Sequence, residues 1–332
     1  CSRTYEVKET ASVPIGFGTW TETLTKARAQ GSSTFADGDD FAVYGFKVNS
    51  GTISTVFDGI VVSYSNSDWT YSPSRFWDPD ATSYTFYGVS PAATGTAATV
   101  NPQTGEITSA SITFAGNDND VLVADKKEVS PSGSPAAYSS DAVNIQFNHI
   151  ASLVDFKVKK HSNLGNAAVT ITSFSISNID NTGTFGVSTA YTSNHPEVTW
   201  NASAHTGSYN NTSGVTSATL PTNVQTTGDL LINNLVAMPQ TFRTTGENIQ
   251  TVSINYTITD EANNVSTYSS QFNLATFDTT DDTSNDGTAV SGWVGGKHYT
   301  FFITIDANKI VFTASITDWT TSDATGYHYL IN

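Results

Sequence analysis

Apolar and polar residues alternate along much of this 332-residue chain. In 143-VNIQFNH-149, Val143, Ile145 and Phe147 fall on one face and Asn144, Gln146 and Asn148 on the other. The stretch 153-LVDFKVKK-160 sets Val154, Phe156 and Val158 against Asp155, Lys157 and Lys159. In 252-VSINYTIT-259, Val252, Ile254, Tyr256 and Ile258 alternate with Ser253, Asn255, Thr257 and Thr259. A period of two is the signature of half-buried antiparallel strands. Near the end, 298-HYTFFITI-305 and 310-IVFTASITDW-319 flank a polar turn and predict a hairpin. No stretch predicts a helix longer than about two turns, so packed β-sandwiches are the expected architecture.

Two polar stretches, 127-KEVSPSGSPAAYSSD-141 and 278-DTTDDTSNDG-287, are expected loops. The length favours two domains. The expected division is a segment 1–28, a first sandwich over 29–149 and a second over 150–332.

Composition narrows the function. Charged residues make up 13% of the chain and the formal net charge is −16. That balance argues against nucleic acid, which requires a basic footprint, and against docking on anionic lipid. Cys1 is the sole cysteine, which excludes an internal disulfide. It reads as the lipidated residue of a mature bacterial lipoprotein, since an exposed free thiol is a liability outside the cell. No apolar run approaches the roughly 18 residues of a membrane span.

Chemistry-bearing motifs are lacking. The six histidines never stand four apart, and no C-x-x-C, P-loop or G-x-S-x-G occurs. The acidic loop 282-DTSNDG-287 resembles the start of a calcium loop, but Trp293 stands where that loop needs a bidentate Glu. The expectation is a protein without cofactor, metal or enzymatic activity.

One short segment stands apart. In 13-VPIGFGTW-20, Val13, Ile15 and Phe17 form one apolar ridge, while Pro14, Gly16 and Gly18 leave the other side nearly bare. Proline and glycine fit poorly in a permanent central strand. A few residues on, 24-LTKARAQGS-32 carries Arg28, one of only four arginines.

Six stretches in chain order resemble the FimA/Mfa-like fimbrillins of Bacteroidetes, the subunits of protease-assembled (type V) surface pili. They are 69-WTYSPSRFWDPDATSYTFYGVSP-91, 121-VLVADK-126, 143-VNIQFNHIASLVDFKVK-159, 176-ISNIDNTGTF-185, 235-LVAMPQ-240 and 293-WVGGKHYTFFITI-305 followed by Asp318-Trp319. Trp69, Phe86, Phe147 and Phe156 within them read simply as core.

The resemblance implies an all-β protein of two tandem antiparallel, transthyretin-like β-sandwiches. It implies a lipoprotein precursor anchored at the outer membrane through Cys1, incorporated at the cell surface into a fimbrium after maturation. It also implies that a protease cuts between Arg28 and Ala29, removing the strand of Val13, Ile15 and Phe17, and that a strand from another subunit fills the groove. The tail 320-TTSDATGYHYLIN-332, with Tyr327, Tyr329 and Ile331 in alternation, is the candidate donor. Implied partners are other pilin subunits, the maturation protease and a host glycan or protein receptor. The competing reading is a non-polymerising glycan-binding lipoprotein, stacking sugars on Trp77, Trp200 or Tyr209.

Overall fold

The computed structural model describes residues 12–19, 35–116, 120–134, 136–192, 195–211, 229–277, 289–306 and 310–319. The fold is all-β. Among the described residues the one α-helix is Ala92–Thr96, a turn too short to organise a core.

The first half is built on a sheet whose centre is Asp40–Asn49, paired antiparallel with Thr52–Ser65 on one side and Ser83–Ser90 on the other. Leu122–Ala124 and Phe147–His149 extend it beyond Ser83–Ser90, and Lys127–Val129 pairs with Ser83–Ser90 as well. Its apolar face gathers Phe41, Phe57, Tyr84, Phe86 and Phe147, all essentially buried. The expected core role of Phe86, Phe147 and Phe156 holds, and Trp69 packs half-buried at its edge.

In the second half two sheets enclose a core. Asp229–Ala237, Ser152–Lys160, Lys297–Ile305 and Ile310–Asp318 form one; Gly207–Asn211, Ala168–Ile179, Thr251–Thr259 and Val265–Asn273 form the other. Phe156, Phe301 and Ile303 of the first sheet meet Phe174, Ile176, Val252 and Ile254 of the second. The terminal hairpin is present, pairing Lys297–Ile305 with Ile310–Asp318.

Four local expectations are corrected. The alternating run 143–149 is two strands. Val143–Ile145 pairs with Phe17–Thr19, whereas Phe147–His149 joins the main sheet, so the chain changes sheets at Gln146. Second, Ser152–Lys160 runs parallel to Lys297–Ile305, not antiparallel. Third, that strand is buried on both faces: Asp155, Lys159 and Lys160 are at most 8% exposed. A strand flanked on both sides must satisfy its polar side chains internally. Asp155 accepts from the Asn234 backbone N–H at 2.6 Å and lies 2.9 Å from His298 Nε2. Lys160 Nζ donates to the carbonyls of Gly165 and Ala167. Fourth, Lys127–Val129 within the expected loop 127–141 is a strand, and Tyr138 is buried. The acidic segment 278–287 lies outside the described residues.

A further sheet draws strands from either side of residue 149. His195–Ala202 and Thr182–Thr192 continue into Ile107–Thr108 and Thr99–Val100, with Ile112–Thr113 also on Thr182–Thr192. Beneath it Tyr44, Phe46, Tyr87 and Val123 share one apolar cluster with Phe185, Val187, Val236, Met238 and Trp319. At this junction the buried His149 ring stacks on Trp319 at 3.9 Å and hydrogen-bonds the Asp120 carboxylate through Nδ1.

Candidate functional site: the N-terminal strand and its slot

Residues 13–19 lie in a slot on the first core. On one side the backbone runs against 75–77. Ile15 N–H donates to Arg75 O at 2.8 Å and Trp77 N–H to Val13 O at 2.9 Å, around the antiparallel bridge of Pro14 with Phe76. On the other side Phe17–Thr19 pairs parallel with Val143–Ile145, and Val143 N–H donates to Gly16 O at 2.8 Å. The segment is therefore held between two edges of opposite sense.

The apolar ridge points inward as its spacing requires. Ile15 and Phe17 are 2% and 5% exposed, and Val13 is half-buried against the same cluster. Phe17 meets four rings, with centroids at 5.3 Å (Phe57), 5.6 Å (Tyr71), 5.7 Å (Phe86) and 6.2 Å (Phe41), each in edge-on geometry. Pairs of this kind add about 0.5–1.5 kcal/mol beyond area burial. The outer face is open: Pro14 is exposed, and a Cβ at Gly16 would meet only Ala142 Cα, at 3.9 Å.

Tyr71 closes the slot at one end. Its hydroxyl donates to Ile15 O at 2.6 Å and accepts from Arg75 N–H at 3.1 Å. Burial pushes the phenol above its ordinary pKa, opposed by the Arg75 amide that stabilises the anion. Behind Trp77, Tyr138 stacks face to face at 4.6 Å and donates its hydroxyl to Ala81 O. Burial pushes the Tyr138 phenol up to about 12, with Tyr84 and Asp78 adding to the shift. Asp78 is held below the carboxylate range by its hydrogen bond from Lys47 Nζ, at 2.6 Å, and by the Asp80 amide.

Of the residues singled out in the sequence, the slot brings together Val13, Ile15 and Phe17. Cys1, Arg28, Ala29, Tyr327, Tyr329 and Ile331 lie outside the described residues. Sequence reasoning missed the receiving side. Trp69, Tyr71 and Trp77 belong to one quoted motif, but nothing in their spacing says that Tyr71 grips a carbonyl near the chain start.

The three aromatic platforms are corrected. Trp77 is buried, with its ring against Tyr138 and Tyr84. Trp200 is half-buried on the junction cluster and donates Nε1–H to Ile150 O, and Tyr209 packs on the second core. Trp77 is thereby closed to a sugar, while Trp200 and Tyr209 stand on strands, Trp200 with part of its ring at a cavity. Among the described residues no group of three or more His, Cys, Asp or Glu is placed to hold a metal ion, and no helix is long and apolar enough to cross a membrane.

The described part of the first core is thus completed by residues 13–19. The comparisons are specific: a fimbrillin-like family model matches residues 25–319, and the chain belongs to that family. A fimbrial protein from Bacteroides vulgatus has a similar fold (TM-score 0.58, 17% identity, 92% of this chain and 99% of that one). The tip fimbrial protein Mfa3 from Porphyromonas gingivalis, with C-terminal truncation, aligns at a TM-score of 0.42 and 12% identity over 89% of this chain and 97% of that one. No curated protein matches the chain in sequence.

Proposed function

We propose that this protein is a structural and adhesive subunit of cell-surface fimbriae, matured by cleavage after Arg28 and assembled by replacing residues 13–19 with a strand from another subunit. The observation carrying this reading is the slot itself: a terminal strand that completes a core while lying between two backbone edges. Burying Ile15 and Phe17 is worth about 1.5–3 kcal/mol each. A whole domain is stable by only about 5–15 kcal/mol. A slot emptied of this strand is thus a serious defect, with exposed edges that seek another strand.

Limited trypsin digestion tests it. The first cut is expected near Lys26 or Arg28, followed by oligomerisation or precipitation of the remaining core. Arg75 and Arg243 are expected to resist. Arg75 Nε donates to Val56 O, and the Arg243 guanidinium is pinned by Asp180 and the carbonyls of Asn178 and Asn248. First cleavage at Arg75 or Arg243 removes the maturation reading.

A second reading, glycan binding by the uncut monomer, draws on one feature. A cavity of about 850 Å³ at the junction is lined by Trp200, Gln240, Thr241, Lys297 and Asp318, a mixture of aromatic and hydrogen-bonding groups. Saturable binding of intact monomer on a glycan array favours it; a blank array removes it.

A further inference from the structure

We propose that the slot selects a strand bearing two hydrocarbon side chains two residues apart, an aliphatic one followed by phenylalanine. Residues 320–332 of a second copy are then not its partner, and the incoming strand comes from a different subunit. This rests on the strand-replacement reading above.

The selecting elements are the two flanking edges, Tyr71 and the inner face. The two flanking edges have opposite sense, antiparallel at 75–77 and parallel at 143–145, so only one direction of entry satisfies both. Tyr71 sets the register by donating to the carbonyl at position 15. The side chain at 15 is then sealed, and the one at 17 enters a box of Phe41, Phe57, Phe86 and Tyr71. Three of those rings offer no hydrogen bond. The fourth has already given its proton to Ile15 O and received the Arg75 amide. A tyrosine in place of Phe17 would bury a hydroxyl among hydrocarbon.

The outer face exerts no such selection. Position 16 is open. A Cβ at 18 would approach Asn144 Oδ1 at 2.9 Å, but that is the far end of an exposed side chain that can turn away.

The sequence 320-TTSDATGYHYLIN-332 fails this requirement in every register. Its pairs two apart include Thr325/Tyr327, Tyr327/Tyr329, His328/Leu330, Tyr329/Ile331 and Leu330/Asn332, and none holds two hydrocarbon side chains. The Tyr327/Tyr329 register puts a phenol in the box. Tyr329/Ile331 puts one in the sealed aliphatic position. The tail is left free to serve a slot of another shape, on another kind of subunit.

The test uses the full-length chain, nicked with trypsin and mixed with a fluorescent peptide of residues 12–20 in excess, then competed with unlabelled peptides. The 12–20 peptide is expected to enter. Its Phe17→Tyr version is expected to compete about tenfold more weakly, the cost of one buried unpaired hydroxyl, and a 320–332 peptide more weakly still. Equal competition by the 320–332 peptide overturns the proposal. Failure of the 12–20 peptide to enter would overturn strand replacement instead. In that case the uncut Phe17→Tyr protein still decides selection: a fall in Tm of about 2–4 °C is expected, and an unchanged Tm overturns it.

Discussion

Tyr71 joins the terminal strand to the body of the protein through one hydroxyl, and its removal is a clean perturbation. Tyr71→Phe keeps the ring beside Phe17 and Phe57 but leaves the Ile15 carbonyl and the Arg75 amide without their partner. A loss of about 1–3 kcal/mol is expected in urea unfolding. Tyr138 gives a pH signature. Its folded pKa of about 12 lies above the ordinary 10, so the folded state holds the proton more tightly. Its contribution is fully present below pH 10 and is lost as pH rises through about 12. Alkaline denaturation should therefore steepen between those values, and Tyr138→Phe should flatten that part of the curve.

At the scale of elements, strand existence was legible and strand partnership was not. The runs at 252–259 and 298–319 report their own alternation, which depends only on which face is buried. By contrast, nothing local in 153–160 reveals that a parallel neighbour 145 positions later covers its flank, so alternation alone leaves Asp155 and Lys159 on the polar face of a half-buried strand. The split at Gln146 was hidden for a similar reason, because both short strands keep one alternation while pairing with different sheets. The inward ridge of 13–17 was legible from three apolar residues separated by Pro and Gly; its receiving rings, scattered from Phe41 to Phe86, were not. Glycine at 183 marks another non-local demand. A Cβ there would lie 2.2 Å from the Asn201 backbone oxygen on the paired strand. Gly183→Ala is expected to cost about 1–3 kcal/mol by overpacking, seen as a lower urea midpoint with an unchanged slope.

For the whole molecule, the sheet shared by 99–113 and 182–202 ties the two halves together. The cluster beneath it, from Tyr44 to Trp319, is broken if either half opens. One cooperative transition is expected, with tryptophan fluorescence and far-ultraviolet circular dichroism superimposing on a urea axis. Two resolved transitions would show that the halves unfold independently. A fragment of residues 35–149 should fail to fold alone, having lost Thr182–Thr192, the strand on which Ile107–Thr108 and Ile112–Thr113 both pair.

The parallel pairing of Phe17–Thr19 with Val143–Ile145 also imposes an order in time. Wherever the chain emerges N-terminus first, whether from a ribosome or an export pore, Phe17 arrives roughly 125 residues before its partner, an interval of about 6–25 s at ribosomal rates. The rings of the box, from Phe41 to Phe86, emerge within that interval, but one wall of the slot is the last to be made. A strand delivered early is thus among the last to be seated in its half of the protein. A chaperone that shields residues 13–17 until residue 145 has emerged would speed the folding of the nascent chain, while adding nothing to the refolding of a finished one.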